Sequence, residues 1–485
     1  MIREQDTRSQ ASLVWIPLLL LSLVAAAAAV FYPVLAMASI GLLIGGTIAV
    51  MLSARRPEIF LVLAIWTNFL KALYLPGLSV GEFGATPYLL FTTLAVIGFS
   101  IQVLSGKRRL ILPIGLIPFF LFASFTTLSL LIAQDFRIAF GSYVRTIFDW
   151  AMYFLLSQMI VDRRNFQRLM NAILVQAVVV VVWGIIAGIE VEILDVQRRA
   201  LLFWDQFQKN DFAAYLGVVL VVSLATFLIE KKRLNKWTAL FLMFLVPVAW
   251  MFTFSRGGLL AIVVCLLVFI SLERRKRLLQ RLIQITALIL ITGSVVIAVS
   301  RSETRDLAIE GLKSLVGSEN VAERHIDTIE FRFLVAEAAV EVFFDRPLLG
   351  VGFNQWQLYS PHTRLVYDPQ AGELRETGSS IHNRLLMIAT NSGIIALIGY
   401  LFFTATVFVV AQKSRDHVGI ELRAYLNAFI AALVGIQVAL LFAPTMVWEW
   451  PVFGILAGLI NLAEIEKAGD LAKHRWLKLN FLLRK

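Results

Sequence analysis

Charge is scarce in this chain. Asp, Glu, Lys and Arg make up 16% of its 485 residues, where a soluble domain carries about 25%. With 59% hydrophobic residues and a mean hydropathy of +0.79, the apolar surface is too large for any water-soluble core to hide. Cysteine is nearly missing: Cys265 stands alone in an apolar run, which excludes an internal disulfide and a cysteine metal site. Histidine occurs five times, no two at metal-ligand spacing, and there is no Asp-X-Asp pair. The chain also has no P-loop, no Gly-X-Ser-X-Gly, no nucleotide-binding pattern, no internal repeat and no low-complexity tract. The net charge of +11 would suggest nucleic acid in a soluble protein. Here the cations cluster between apolar runs, where they set topology and meet anionic lipid, so no nucleic-acid partner is expected.

What the chain does have is a series of apolar runs whose breaks alternate. One kind of break is basic: Arg55-Arg56, Lys107-Arg108-Arg109, Arg163-Arg164, Lys231-Lys232-Arg233, Glu273 to Arg277 and Lys413-Ser414-Arg415. The other kind is polar with few cations. This is the positive-inside pattern of a helical membrane protein. A span needs about 20 apolar residues, and helices are expected near 13–31, 34–53, 58–75, 86–104, 111–133, 143–161, 169–189, 210–229, 237–254, 257–272, 282–300, 384–411, 421–442 and 450–464. Leu13 to Val30, with Arg3 and Arg8 before it, has the look of a signal peptide, but the run continues to Met51 without a clear cleavage site and reads as a retained pair of helices. The expected fold is therefore an all-α polytopic membrane protein with about 12–14 transmembrane helices. Both termini are expected in the cytoplasm, and the tail from Lys467 to Lys485 is basic. The expected organisation is an N-terminal helical region 1–189, a central region 190–411, and a C-terminal region 412–485.

The segment 301–383 leaves the membrane on the outer side for roughly 80 residues, and loops of that length are usually functional or disordered. Within it, Phe331, Leu334, Val335, Ala338 and Val342 recur at helical spacing and predict an amphipathic helix lying against the bundle. It ends at Asp345-Arg346-Pro347, followed by Gly350-Val351-Gly352. Residues 361–380, with two prolines and two glycines, read as an irregular lid.

Charged groups at membrane depth are expensive and are functional candidates by default. Arg256, in Phe254-Ser255-Arg256-Gly257-Gly258, sits between two apolar runs with no polar loop to carry it into water. A guanidinium there suits the paired oxygens of a phosphate; it would equally serve as a topological residue in a short hairpin. His382-Asn383-Arg384 precedes a long apolar run, which puts His382 at the outer mouth of a helix. A histidine so placed can take a proton near neutral pH, with Asn383 and Arg384 orienting it or binding an anion; a satisfied polar histidine is the plainer alternative. His325 and His362 fall in the loop and lack this placement. In the loop from Arg198-Arg199 to Lys209-Asn210-Asp211, Asn210 opens the next span as a helix cap. The arginines there would suit a diphosphate lipid, or would only solvate the loop. Asp368, Glu373 and Glu376 could hold a divalent cation but read more plainly as a solvated loop, and no metal or other cofactor is expected.

Taken in order and with their sidedness, these residues resemble the O-antigen ligase and polymerase superfamily of bacterial envelope glycosyltransferases. The resemblance runs from about Arg198 to Gly399: Asn210 with Ala213 and Ala214, Phe254 to Gly258, Arg332, Ala338, Arg346 to Gly352, His382-Asn383, Leu386 and Gly393. It implies that a glycan on undecaprenyl diphosphate is moved on the periplasmic face to the hydroxyl of an acceptor, a glycolipid or a growing glycan, without nucleotide or metal and with inversion. It further implies that His382 is the base or the group that orients the acceptor, and that Arg256, with Arg199 alongside, holds the diphosphate. Arg332, Asn210, Asn383 and Arg384 would complete the substrate contacts. The family often has an acidic residue two before the glycine aligned at Gly393; here that residue is Asn391. Ligases, repeat-unit polymerases and protein O-glycosylating enzymes share these motifs. A transporter of the same lipid is a different class, and would show broken helices at matching positions in two halves and polar residues at mid-membrane.

Overall fold

The computed structural model describes residues 45–68, 79–80, 83–84, 86–192, 209–253, 255–273, 322–359, 365–368, 373–376 and 381–483. The expected spans 13–31 and 282–300 and most of 34–53 lie outside these residues. The described chain is helical, with two short antiparallel hairpins. In order it comprises α1 (Pro57–Thr67), β1 (Ser79–Val80), β2 (Phe83–Gly84), α2 (Pro87–Leu104), α3 (Leu116–Leu130), α4 (Phe136–Met159) and α5 (Arg163–Glu192). Then follow α6 (Lys209–Ile229), α7 (Arg233–Met251), α8 (Arg256–Leu272), α9 (Ala322–Asp345), α10 (Trp356–Tyr359), β3 (Leu365–Asp368), β4 (Glu373–Glu376), α11 (Arg384–Ser414), α12 (Ile420–Ala439) and α13 (Glu449–Leu483). Six of the described helices are long and apolar enough to cross a membrane, and α1, α3 and α8 are shorter apolar helices. The protein is an all-α polytopic membrane protein.

Two compact units are distinguished. The first holds residues 1–61 and 91–110. Its described part is a helical pair tied near its basic end, where Gln102 Nε2 donates to the carbonyls of Ala54 and Arg55 at 3.1 and 3.2 Å and Arg108 pairs with Glu58. Ser53 donates to the Leu94 carbonyl.

The second unit, residues 62–90 and 111–485, is built around two helices with no free face. α6 and α12 are buried over 83% and 78% of their most apolar windows, against 33% for α7 and α11. A helix apolar all round belongs inside a bundle, and α6 and α12 pack on each other and on α8. The outer helices instead expose Trp237, Phe241, Leu260, Leu267, Phe402 and Val409, a surface suited to lipid rather than water. A second seam joins α3, α4, α11 and α13 through Phe119, Phe122, Trp150, Tyr153, Phe403 and Trp450, whose rings meet edge-on or stacked at 5.2–6.5 Å.

The basic breaks gather at one end of this unit. Arg163, at the start of α5, pairs with Glu466 of α13 and Glu421 of α12. The same corner holds Lys231 and Lys232 around a pocket of about 190 Å³.

Three local expectations change. The stretch 134–142, read as loop, is mostly the first turns of α4, capped by Asp135, whose carboxylate accepts from the N–H groups of Arg137 and Ile138. The end of the chain continues α13 as one helix to Leu483. And α11, expected to be continuous, is broken at Gly393 (φ 81°, ψ 176°).

Candidate functional site

The site lies at the end of the second unit away from the basic breaks, and it is organised by the break in α11. Interrupting a helix frees carbonyls before the break and N–H groups after it. Residues 346–352 fill that need. Val351 and Gly352 donate their N–H groups to the carbonyls of Thr390 and Asn391 at 2.9 and 3.1 Å, and Ile394 donates to the Pro347 carbonyl at 2.8 Å. Gly350 and Gly352 hold positive φ. A Cβ at Gly350 would strike the backbone of residues 390–392, and one at Gly352 would come within 2.7 Å of Ala133 Cα. The Arg346-to-Gly352 stretch is thus a main-chain plug for the broken helix. Asn391 serves the same joint: its Oδ1 accepts from the Trp356 N–H at 3.2 Å, at the start of α10.

The segment Arg384 to Ser392 is consequently a separate half-helix. Asn383 caps it, accepting from the Leu386 N–H at 3.0 Å and donating to the Leu441 carbonyl at 3.3 Å. Arg384 donates its backbone N–H to the Leu440 carbonyl at 2.8 Å. Its guanidinium is buried; Nη1 reaches the Pro444 carbonyl at 3.4 Å and Nη2 the Glu449 carboxylate at 3.6 Å. The α12–α13 connection, residues 440–448, therefore fixes the two residues that follow His382.

His382 is half-buried. Burial, and then the positive charge of Arg332 on α9, hold its pKa below the ordinary histidine value. At neutral pH the imidazole is neutral and able to accept a proton. α9 is seated by Val335, Ala338, Ala339 and Val342, which pack with Val351, Trp356 and Ile381, the residue before His382. Its expected apolar stripe matches at Val335, Ala338 and Val342, whereas Phe333 and Phe344 are exposed.

The α8 end meets the same connection. Ser255 caps α8, accepting from the Gly258 N–H at 3.0 Å and donating to Asn210 Oδ1 at 2.7 Å. Asn210, expected to cap its own helix, sits one residue inside α6 and spends its side-chain oxygen on α8 instead. A Cβ at Gly257 would sit 3.1 Å from Phe442 Cβ, and one at Gly258 would strike Ala213; both glycines permit close packing. Arg256 opens α8, and its side chain lies outside the described residues, as does Arg199 altogether. Asn210, Ser255, Arg332, His382, Asn383 and Arg384 are thus joined through α9 and the 440–448 connection.

Residues 238–401 match the O-antigen ligase family model. The segment is similar to that family. No curated protein matches the chain. The matched segment begins within α7 and ends within α11. It contains Arg256, Arg332, His382, Asn383, Arg384 and the Gly393 break, while Asn210 and Glu449 come from flanking helices.

Sequence reasoning missed Glu449 and Tyr400. Tyr400 donates to the Glu449 carboxylate at 2.8 Å, and both are buried. Glu449 carried a signal: a carboxylate flush against an apolar run is as anomalous as Arg256. Two other readings shift. His325 falls in α9 rather than a loop, and the lid region contains the β3–β4 hairpin, pairing Leu365 with Glu376 and Asp368 with Glu373. His362 lies outside the described residues. Among the described residues, no three His, Cys, Asp or Glu are grouped to hold a metal ion.

Proposed function

We propose that this protein is an inverting glycosyltransferase acting on the outer face of a bacterial plasma membrane, with the basic end of the bundle and both termini in the cytoplasm. It moves a glycan from undecaprenyl diphosphate to the hydroxyl of an acceptor, lipid A-core or a similar glycolipid. Regions 1–189 and 412–485 frame the transferase region 190–411. The observation that supports the reading is the pairing, two residues apart, of a neutral imidazole at His382 and a buried guanidinium at Arg384 whose Nε–H has no acceptor among the described residues.

In the reaction, His382 accepts the acceptor's hydroxyl proton as the oxygen attacks the anomeric carbon. The bond from that carbon to the diphosphate oxygen breaks, and undecaprenyl diphosphate leaves with the electron pair. The diphosphate is a competent leaving group, so the protein's task is to place positive charge and exclude water. Arg384, Arg332 and Arg256 supply that charge, with Arg199 and Asn210 at the margin and Asn383 fixing the backbone. No metal or other cofactor is required, and the chelator EDTA should leave turnover unchanged; strong inhibition would return Asp368, Glu373 and Glu376 to consideration.

A repeat-unit polymerase and a protein O-oligosaccharyltransferase would use the same residues. Purified protein mixed with glycan on undecaprenyl diphosphate, with and without lipid A-core, separates them. A single shift of lipid A-core is expected. A ladder on the donor lipid alone would make the enzyme a polymerase. The broken α11 is a trait shared with carriers, but its groups at Thr390, Asn391 and Ile394 are taken by residues 347–352.

The pH response follows from His382. The base must be neutral, and its pKa is depressed, so kcat/KM holds to below the ordinary histidine pKa of about 6.5 and falls as pH drops further. Arg332→Gln removes one of the two causes, so the acid limb should move to higher pH. A limb that stays in place would show that Arg332 does not act on His382.

A further inference from the structure

We propose that Glu449 is the counter-ion that holds Arg384 in the empty site and yields it to the donor diphosphate, with Tyr400 retaining the carboxylate when Arg384 leaves. The proposal rests on the reading of the site given above and assigns a positioning role to two residues outside the acceptor chemistry.

The Arg384 side chain is 9% exposed and that of Glu449 2%. A buried guanidinium has five N–H donors to satisfy. Here Nη2 meets Glu449 at 3.6 Å and Nη1 meets the Pro444 carbonyl at 3.4 Å, both at or beyond the long end of hydrogen-bond range, and Nε–H meets no acceptor among the described residues. The Arg384 Cζ also lies 5.8 Å from the Tyr400 ring centroid, near the outer limit for a cation over a ring. The charge is balanced but its donors are poorly used.

Glu449 is differently held. The Tyr400 hydroxyl donates to its other oxygen at 2.8 Å, a normal charge-assisted length. Tyr400 has one proton to give, so the Gln437 amide, whose oxygen stands 3.0 Å from that hydroxyl and whose Nε2 lacks an acceptor among the described residues, fits better turned to donate. The chain Gln437–Tyr400–Glu449 then runs in one direction and keeps the carboxylate in place without the arginine. The backbone of Arg384 is fixed by Leu440 and by the Asn383 cap, so only the side chain need move. A diphosphate offers paired oxygens in the geometry that a guanidinium fork completes and a 3.6 Å ion pair does not. Glu449 competes for Arg384, and Tyr400 weakens that competition.

The two variants therefore act in opposite directions. In Glu449→Gln the arginine loses its competitor; in Tyr400→Phe the carboxylate loses the hydroxyl that draws it away from Arg384. The test is the dissociation constant of undecaprenyl diphosphate for the purified full-length protein in detergent micelles. Glu449→Gln should bind about fivefold or more tightly than wild type, and Tyr400→Phe more weakly by a similar factor, the lower end of ordinary coupling between neighbouring groups. In turnover, Glu449→Gln should show a lowered donor KM together with a lowered kcat, because the diphosphate product leaves more slowly. Equal affinity in all three proteins, or a shift of both variants in the same direction, would overturn the proposal. Removing one member of a buried ion pair can prevent folding. If Glu449→Gln does not fold, Tyr400→Phe, which keeps both charges, decides alone: weaker binding supports the proposal and unchanged binding ends it. A wild-type protein that does not bind undecaprenyl diphosphate would instead remove the underlying reading of the site.

Discussion

Glycan transfer by the His382→Ala variant is expected to fall by roughly 10²–10⁴-fold, the usual loss when a positioned general base is removed, with the protein present in the membrane at its normal level. The level should hold because the His382 side chain makes no hydrogen bond to the described residues. The local backbone is fixed by its neighbours: Ile381 in the α9 cluster, Asn383 on Leu441, and Arg384 on Leu440. Donor affinity should change little, since the imidazole is neutral and the cations remain. The assay is single-turnover transfer from a lipid-linked glycan, with binding of undecaprenyl diphosphate measured alongside. Retained transfer would take His382 out of the chemistry and leave it as a polar residue at a helix mouth.

Gly393→Ala should be nearly as damaging, through folding rather than chemistry. Gly393 has φ 81° and ψ 176°, a region essentially reserved for glycine, where a side chain costs about 1–3 kcal/mol. An added Cβ would also overlap the Leu348 carbonyl, which is backbone and held by the plug, so the total should reach about 3 kcal/mol or more. The expected outcome is loss of monodisperse protein after extraction, or a marked fall in its unfolding temperature. Gly106 also has positive φ, but a Cβ there would meet nothing within 4 Å, so Gly106→Ala should be far milder. A Gly393→Ala protein as stable as wild type would mean that α11 runs straight.

The contrast between these two positions shows how far the chain can be read before folding. The helices of the bundle are written in composition, because a span is a length of apolar sequence bounded by charge, and α6, α7, α11 and α12 fall where the runs fall. The clustering of basic breaks was equally plain, since Arg163, Lys231 and Lys232 do meet at one end. His382 and Arg384 were visible as polar residues at the mouth of an apolar run. The break at Gly393 was not visible, because a glycine in an apolar run costs little in hydropathy whether the helix is straight or bent; what bends it is the 346–352 turn, some forty residues earlier. Asn210 was misread for a related reason. Local spacing made it a cap for its own helix, while Ser255, far along the chain, offered a hydroxyl at 2.7 Å. The Glu449–Arg384 pair is likewise a contact between distant segments, and only the anomaly of a carboxylate beside an apolar run announced one half of it.

The plug on the broken helix has an implication for how this region tolerates alteration. Val351, Gly352 and Pro347 hydrogen-bond α11 through main-chain atoms, and such bonds restrict the side chains only where space does, as at Gly350 and Gly352. Leu348, whose side chain is largely exposed, could be exchanged for many residues without disturbing the three bonds. A single insertion or deletion between Pro347 and Gly352 would throw all three out of register together. The stretch behaves as a ruler: it fixes how many residues stand between the end of α9 and the joint in α11, and is indifferent to much of what those residues are.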